Sequence, residues 1–134
     1  MIEIEAMFPV MVTNNLDDVK QFYETVFGFN SVFYDPGFYL HLVSPSTGAQ
    51  LGFLLPGHAS QPEFLHPIMN TDGFVISLEV KDAGMAYSEA QKLNLSFAME
   101  LKQEDWGQIH FMLKDPAGFR VDVVQHLEAA GSEF

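Results

Sequence analysis

Two stretches of this chain follow the same succession of a strand, a helix and three further strands, and few folds accommodate such a doubled order. In the first stretch Phe8, Val10 and Val12 alternate with Met7, Pro9 and Met11. This is the period of two that sends successive side chains to opposite faces of a strand, and it directs Met7, Pro9 and Met11 inward, away from the helices. Asn14 or Asn15 stands where a helix cap is needed, and Asp17 and Asp18 suit the positive end of the helix dipole. Leu16, Val19, Phe22, Tyr23, Val26 and Phe27 follow at helical spacing, with Gly28 placed to end the helix. Strands are expected over residues 29–34, 38–43 and 49–55, joined by turns at Asp35-Pro36-Gly37 and Pro45-Ser46-Thr47-Gly48.

The second stretch opens with Phe74, Ile76, Leu78 and Val80 on one strand face and Val75, Ser77 and Glu79 on the other. Asp82 is expected to cap a helix bearing Ala83, Ala86, Tyr87, Ala90 and Leu93, and Asn94 suits its end. A strand over 95–101 leads into a hairpin in which Ile109, Phe111 and Leu113 alternate with Gln108, His110 and Met112. Asp115-Pro116-Ala117-Gly118 forms its turn, and Val121 and Val123 alternate with Arg120, Asp122 and Val124 on the return strand. The two stretches superimpose at offsets near 70: Val12 on Val80, His41 on His110, Gly48 on Gly118. The expected organisation is a first βαβββ module over 1–55, a linker over 56–73 and a second βαβββ module over 74–127. Residues 128–134 read as a tail whose Gly131-Ser132-Glu133-Phe134 ending suggests a vector remnant.

Charge and composition narrow the function. The chain carries 18 acidic against 6 basic residues, a net charge of −12, which disfavours nucleic acid and anionic membranes as partners. It has no cysteine, so thiolate metal sites, disulfides and cysteine nucleophiles are excluded. No apolar run approaches the roughly 20 residues of a membrane-spanning helix. Met1-Ile2-Glu3-Ile4-Glu5 lacks the basic and apolar regions of a signal peptide, so a cytoplasmic location is expected.

The stretch from Trp106 to Asp122 resembles the C-terminal hairpin of the vicinal oxygen chelate superfamily, which holds glyoxalase I, extradiol dioxygenases and the bleomycin- and fosfomycin-resistance proteins. Trp106, Gly107, Phe111, Asp115, Pro116, Gly118 and Asp122 fall in register with that hairpin, and Phe119 stands where the family usually has asparagine. Phe22-Tyr23-Glu24-Thr25-Val26-Phe27-Gly28-Phe29 is similar to a second family signature, with Phe27 in a leucine place. The resemblance implies an α+β fold of paired βαβββ modules curling into a partly open barrel, the glyoxalase/bleomycin resistance/dihydroxybiphenyl dioxygenase fold. It also implies a homodimer.

In metal-dependent members, one divalent ion is held from the first and fourth strands of each module. The resemblance places those positions on Met7, Gly52, Val75 and Asp122, of which only Asp122 is a ligand type. No metal and no other cofactor is therefore expected. A divalent ion on His41, His110 and Asp122 is the alternative, set against two strand histidines that merely line a pocket. The inward positions Tyr39, His41, Gln50, Glu79, Gln108, His110, Met112, Arg120 and Asp122, with Trp106 at the mouth of its strand, are the expected ligand-binding residues. Glu79 and His110 are the candidate catalytic groups, Glu79 as a general base if burial raises its pKa. Arg120 and Asp122 could pair to orient a ligand or only to stabilise their strand. The expected function is metal-independent binding that sequesters an aromatic or cationic small molecule, similar to the bleomycin-resistance type of antibiotic resistance. The alternative is a lyase, isomerase or dioxygenase of the same superfamily.

Overall fold

The computed structural model describes residues 1–127, and the suggested vector-derived tail over 128–134 lies outside them. The chain divides into two compact units, Met1–Asn70 and Thr71–Phe134. Each holds one helix and one four-stranded mixed sheet, an α+β arrangement of two βαβββ modules, and the hydrogen bonding does not run round one closed barrel.

In the first unit β1 (Val10–Val12) is followed by α1 (Leu16–Phe27), β2 (Asn30–Asp35), β3 (Tyr39–Val43) and β4 (Gln50–Leu54), in sheet order β1-β4-β3-β2. β1 and β4 run parallel and the other neighbours antiparallel. Leu16, Val19, Phe22 and Tyr23 bury one stripe of α1. Tyr23 packs its ring on Phe29 and Phe53, so Phe53 marks the helix-facing side of the sheet, with Leu40, Leu42 and Leu51. Each such side chain contributes about 1.5–3 kcal/mol of burial. Gly28 ends the helix at φ 71°, a left-handed conformation glycine adopts without a Cβ penalty. Asn15 stands at the helix start with φ 60° and no side-chain cap; its carbonyl accepts from the Val19 N–H instead.

The phase expected for β1 is corrected by the structure. Met11 pairs beside Phe53 and is 1% exposed, on the helix side rather than inward. Met7 and Pro9 precede the strand, which is only three residues long, and Met7 is 81% exposed. Residues 56–70 belong to the first unit, contain a single 3-10 turn (Glu63–Leu65), and are tied back by the Met69 N–H to the Val12 carbonyl.

The second unit contains β5 (Val75–Glu79), α2 (Ala83–Lys92), β6 (Phe97–Glu104), β7 (Gln108–Lys114) and β8 (Arg120–His126), in sheet order β5-β8-β7-β6. Asp82 caps α2 by accepting from the Met85 N–H at 3.0 Å. Tyr87 packs on Phe97 and Phe111, which fixes Ile76, Phe111, Leu113, Val121 and Val123 on the helix side. Asp115 anchors the β7–β8 turn: its Oδ1 accepts from the Ala117 and Phe119 N–H groups, both at 2.9 Å. Among the described residues no helix is long and apolar enough to cross a membrane.

Strand pairing also corrects the repeat register. Val43 pairs with Gln50, and Lys114 with Arg120, so the first hairpin has one more connecting residue than the second. Counting back from these pairs, the counterpart of His110 is Tyr39 and that of His41 is Met112. In the parallel pairs Gly52 lies beside Val10 and Asp122 beside Ser77, so Val75 corresponds to Phe8 and not to Met7.

Candidate functional site

Each sheet has one face packed on its helix and one facing away, and the expected site residues lie on the faces away from the helices. On the first sheet, Tyr39, His41 and Gln50 form a single polar row. Gln50 Oε1 can only accept, so His41 Nε2 carries the proton and donates across 2.6 Å. Where the ring carries only that proton, Nδ1 accepts from the Tyr39 hydroxyl at 2.8 Å. Burial pushes the Tyr39 phenol pKa up, in keeping with its role as a donor. The Phe8 ring stands edge-on to His41 at 4.6 Å between centroids, and Phe33 and Phe38 flank Tyr39.

Gly52 lies under this row. A Cβ built there would collide with the Tyr39 hydroxyl and sit 3.3 Å from the Pro9 carbonyl oxygen. The space a fourth-strand ligand would need is filled by the phenol.

On the second sheet, His110 is buried between two carboxylates. Its Nδ1 lies 2.8 Å from Asp122 Oδ1 and its Nε2 2.8 Å from Glu104 Oε2. Carboxylates only accept, so both ring nitrogens carry protons and the ring is an imidazolium. Burial works against that charge, but the hydrogen bonds and charges of Glu104 and Asp122 outweigh it and raise the His110 pKa. The same bond to His110, helped by Lys102, holds Glu104 below the usual carboxylate range.

A second polar row crosses the sheet where β8 ends. The Trp106 indole N–H donates to Gln108 Oε1 at 2.8 Å. Because indole is only a donor, the Gln108 amide nitrogen is turned toward His126 Nδ1, 3.4 Å away. His126 Nε2–H then donates to Glu79 Oε1 at 2.9 Å. Glu79 is not buried: its side chain is 72% exposed, so the condition that would make it a general base is not met. Trp106 is 59% exposed.

At the other end of β8, Arg120 does not pair with Asp122. Its Nη1 donates to the Thr71 carbonyl and hydroxyl and to Asp72, while Asp122 holds His110. Met112 and Val75 lie beside it around a cavity.

The residues present do not fit the divalent ion that the resemblance implies. Met7 and Val75 supply no hard donor, Gly52 has no side chain, and Asp122 is committed to His110. His41 spends both ring nitrogens inside the first module, and His110 spends both on carboxylates. Among the described residues no group of three or more His, Cys, Asp or Glu is arranged to hold a metal.

Glu104, His126 and the 71–74 segment were not anticipated from sequence. Continuing the Asp122–Val124 alternation by one step reaches His126. Glu104 gave no such signal, because β6 continues to residue 104 rather than ending near 101.

Comparison with known proteins gives a consistent picture. The sequence profile of the Glyoxalase/Bleomycin resistance protein/Dioxygenase superfamily matches residues 7–123. No curated protein matches the chain. Among solved structures, a member of that superfamily from Sphaerobacter thermophilus DSM 20745 has a TM-score of 0.73 at 23% identity, covering 94% of this chain and 100% of its own. Lactoylglutathione lyase from Agrobacterium tumefaciens has a TM-score of 0.72 at 20% identity, covering 90% and 92%. TioX from Micromonospora sp. ML1 has a TM-score of 0.71 at 15% identity, covering 92% and 99%. At these identities the likeness is one of fold.

Proposed function

This chain belongs to the Glyoxalase/Bleomycin resistance protein/Dioxygenase superfamily, and from that premise we propose that it is a metal-independent binding protein for an aromatic, preferably cationic, small molecule. The observation that carries this reading is Trp106. The chain's single tryptophan is exposed, yet its indole N–H is held by Gln108 in a row that ends on the exposed carboxylate of Glu79. An aromatic face and, two strands across the sheet, an exposed carboxylate, on a chain of net charge −12, suit a flat, extended cation through stacking, cation–π attraction and charge pairing. Tyr39 and its aromatic neighbours give the first module a comparable surface. The enzymatic alternative has less support. His110 has no free ring nitrogen to act as a base, and Glu79 is exposed and paired.

Fluorescence titration is the test, because one tryptophan reports one site. Bleomycin-type and other aromatic cations are expected to quench Trp106 saturably. A broad panel that produces no saturable change overturns the reading. We also propose a homodimer that covers the exposed Ile2, Ile4, Met7 and Phe8; a monomeric mass by light scattering at high concentration would refute it.

A further inference from the structure

Where β8 begins, at the opposite end of the strand from the Trp106–Glu79 row, the second unit has a cavity of about 390 Å³ lined by residues 71–75, Met112 and Arg120. We propose that this cavity binds a small amphipathic organic acid, with its carboxylate on Arg120 and its apolar body against Phe74, Val75 and Met112. The site is separate from the aromatic-cation site: Arg120 and His126 are six residues apart, roughly 20 Å along an extended strand.

Arg120 is the only arginine in the chain. Its guanidinium is anchored through one nitrogen, with Nη1 donating to the Thr71 carbonyl oxygen at 3.5 Å, to Thr71 Oγ1 at 3.3 Å and to Asp72 Oδ1 at 3.2 Å. Those are its hydrogen bonds among the described residues, so Nε and Nη2 still offer donors. A guanidinium edge matches the two oxygens of a carboxylate, and a group already held in place loses little entropy on binding. Thr71 lies against the β7–β8 turn, where a Cβ built at Gly118 would stand 3.6 Å from its methyl.

Charge supports the same ligand. Lys114 pairs directly with Arg120 across β7 and β8, so the two side chains share one face. Lys114 has no ion-pair partner among the described residues. Two of the chain's six lysine and arginine residues therefore stand together on a protein of net charge −12. Asp72 is the acid at the site, and its side chain is 79% exposed, where water screens its repulsion of an incoming anion. Phe74, Val75 and Met112 give the cavity an apolar wall, and its volume falls in the range of small-molecule pockets.

The test is titration of the full chain with benzoate and octanoate, followed by calorimetry and by the Met112 methyl resonance. Saturable binding of either acid that shifts the Met112 methyl is expected. Neutral benzamide and the bare carboxylate acetate should each bind at least about tenfold more weakly. Arg120→Gln should lose at least about tenfold in affinity for the acid. Val75→Trp, which fills the cavity from an exposed position, should abolish binding. If Arg120→Gln does not fold, the benzamide, acetate and Val75→Trp measurements decide. No saturable shift up to roughly 10 mM of either acid overturns the proposal, as does benzamide or acetate binding as tightly as benzoate, or full binding by Val75→Trp.

Discussion

The Tyr39 hydroxyl occupies the space into which a side chain at Gly52 would project. Gly52 is thus a packing partner of the phenol, held in place by the bond from Tyr39 to His41. Gly52→Ala is expected to destabilise the fold by about 1–3 kcal/mol, because the added methyl forces the phenol off its rotamer or shifts the strand. Tyr39→Ala, Gly52→Ala and the double variant form a cycle in denaturant unfolding. The double variant should lose less than the sum of the singles, and strict additivity would show that the two residues do not compete for this space.

Among the described residues no suitable ligand set is present, which makes a prediction about metals. Stripping with chelator should leave thermal stability unchanged, and adding Ni, Zn, Fe, Mn or Co ions should give no stoichiometric rise in Tm. A ligand that binds only the folded state stabilises it in proportion to the logarithm of concentration over Kd, so a clear saturating rise would overturn the argument from Gly52, His110 and Asp122.

His110 and Glu104 give stability a pH signature. The folded pKa of His110 is raised above 6.5. Its contribution is therefore fully present below that value and is lost as pH rises through the folded pKa. The folded pKa of Glu104 is lowered below 4.5, so its contribution is present above 4.5 and lost as pH falls through the folded value. The two act together most fully between these limits. Thermal melts of the wild type and His110→Gln across pH should show a Tm difference that is largest in mildly acidic buffer and shrinks as pH rises. A pH-independent difference would mean that the imidazolium between Glu104 and Asp122 is not what stabilises the strands.

Stacking on Trp106 predicts a division of labour in ligand binding. Trp106→Ala should weaken an aromatic cation severalfold to about tenfold, since aromatic pairing contributes about 0.5–1.5 kcal/mol and an exposed cation–π contact about 0.5–1 kcal/mol. Glu79→Gln should weaken the cation but leave a neutral aromatic of the same shape unaffected. Equal losses for both ligands in Glu79→Gln would assign that carboxylate to holding His126 rather than to the ligand.

Asp115 is 4% exposed and accepts the N–H groups of Ala117 and Phe119. Asp115→Ala leaves the Phe119 amide without this acceptor in a buried turn, so a loss of about 1–3 kcal/mol in urea unfolding is expected. Asp115→Asn, which keeps an accepting oxygen, should recover part of it.

Much of this architecture was legible in the residues. The helical spacing from Leu16 to Phe27, the alternation through Ile109, Phe111 and Leu113, and the Asp115-Pro116-Ala117-Gly118 turn are local patterns that the structure realises. The face assignment of Glu79, Gln108, His110, Met112 and Asp122 followed from the same alternation, because aliphatic and polar positions differ clearly on those strands. β1 offered no such contrast. Met7, Phe8, Val10, Met11 and Val12 are all apolar, so only the seating of Met11 against Phe53 set the phase.

What the sequence by itself determined was the doubled order of elements and the faces of the longer strands, because period and turn chemistry are local properties of the chain. The tertiary structure decided which groups meet. One extra residue in the first hairpin made Tyr39, rather than His41, the counterpart of His110. Glu104 reached His110 across β6 and β7, and Asp72 reached Arg120 over 48 positions of chain. Such contacts depend on register and strand length, and these are fixed by packing over many residues at once.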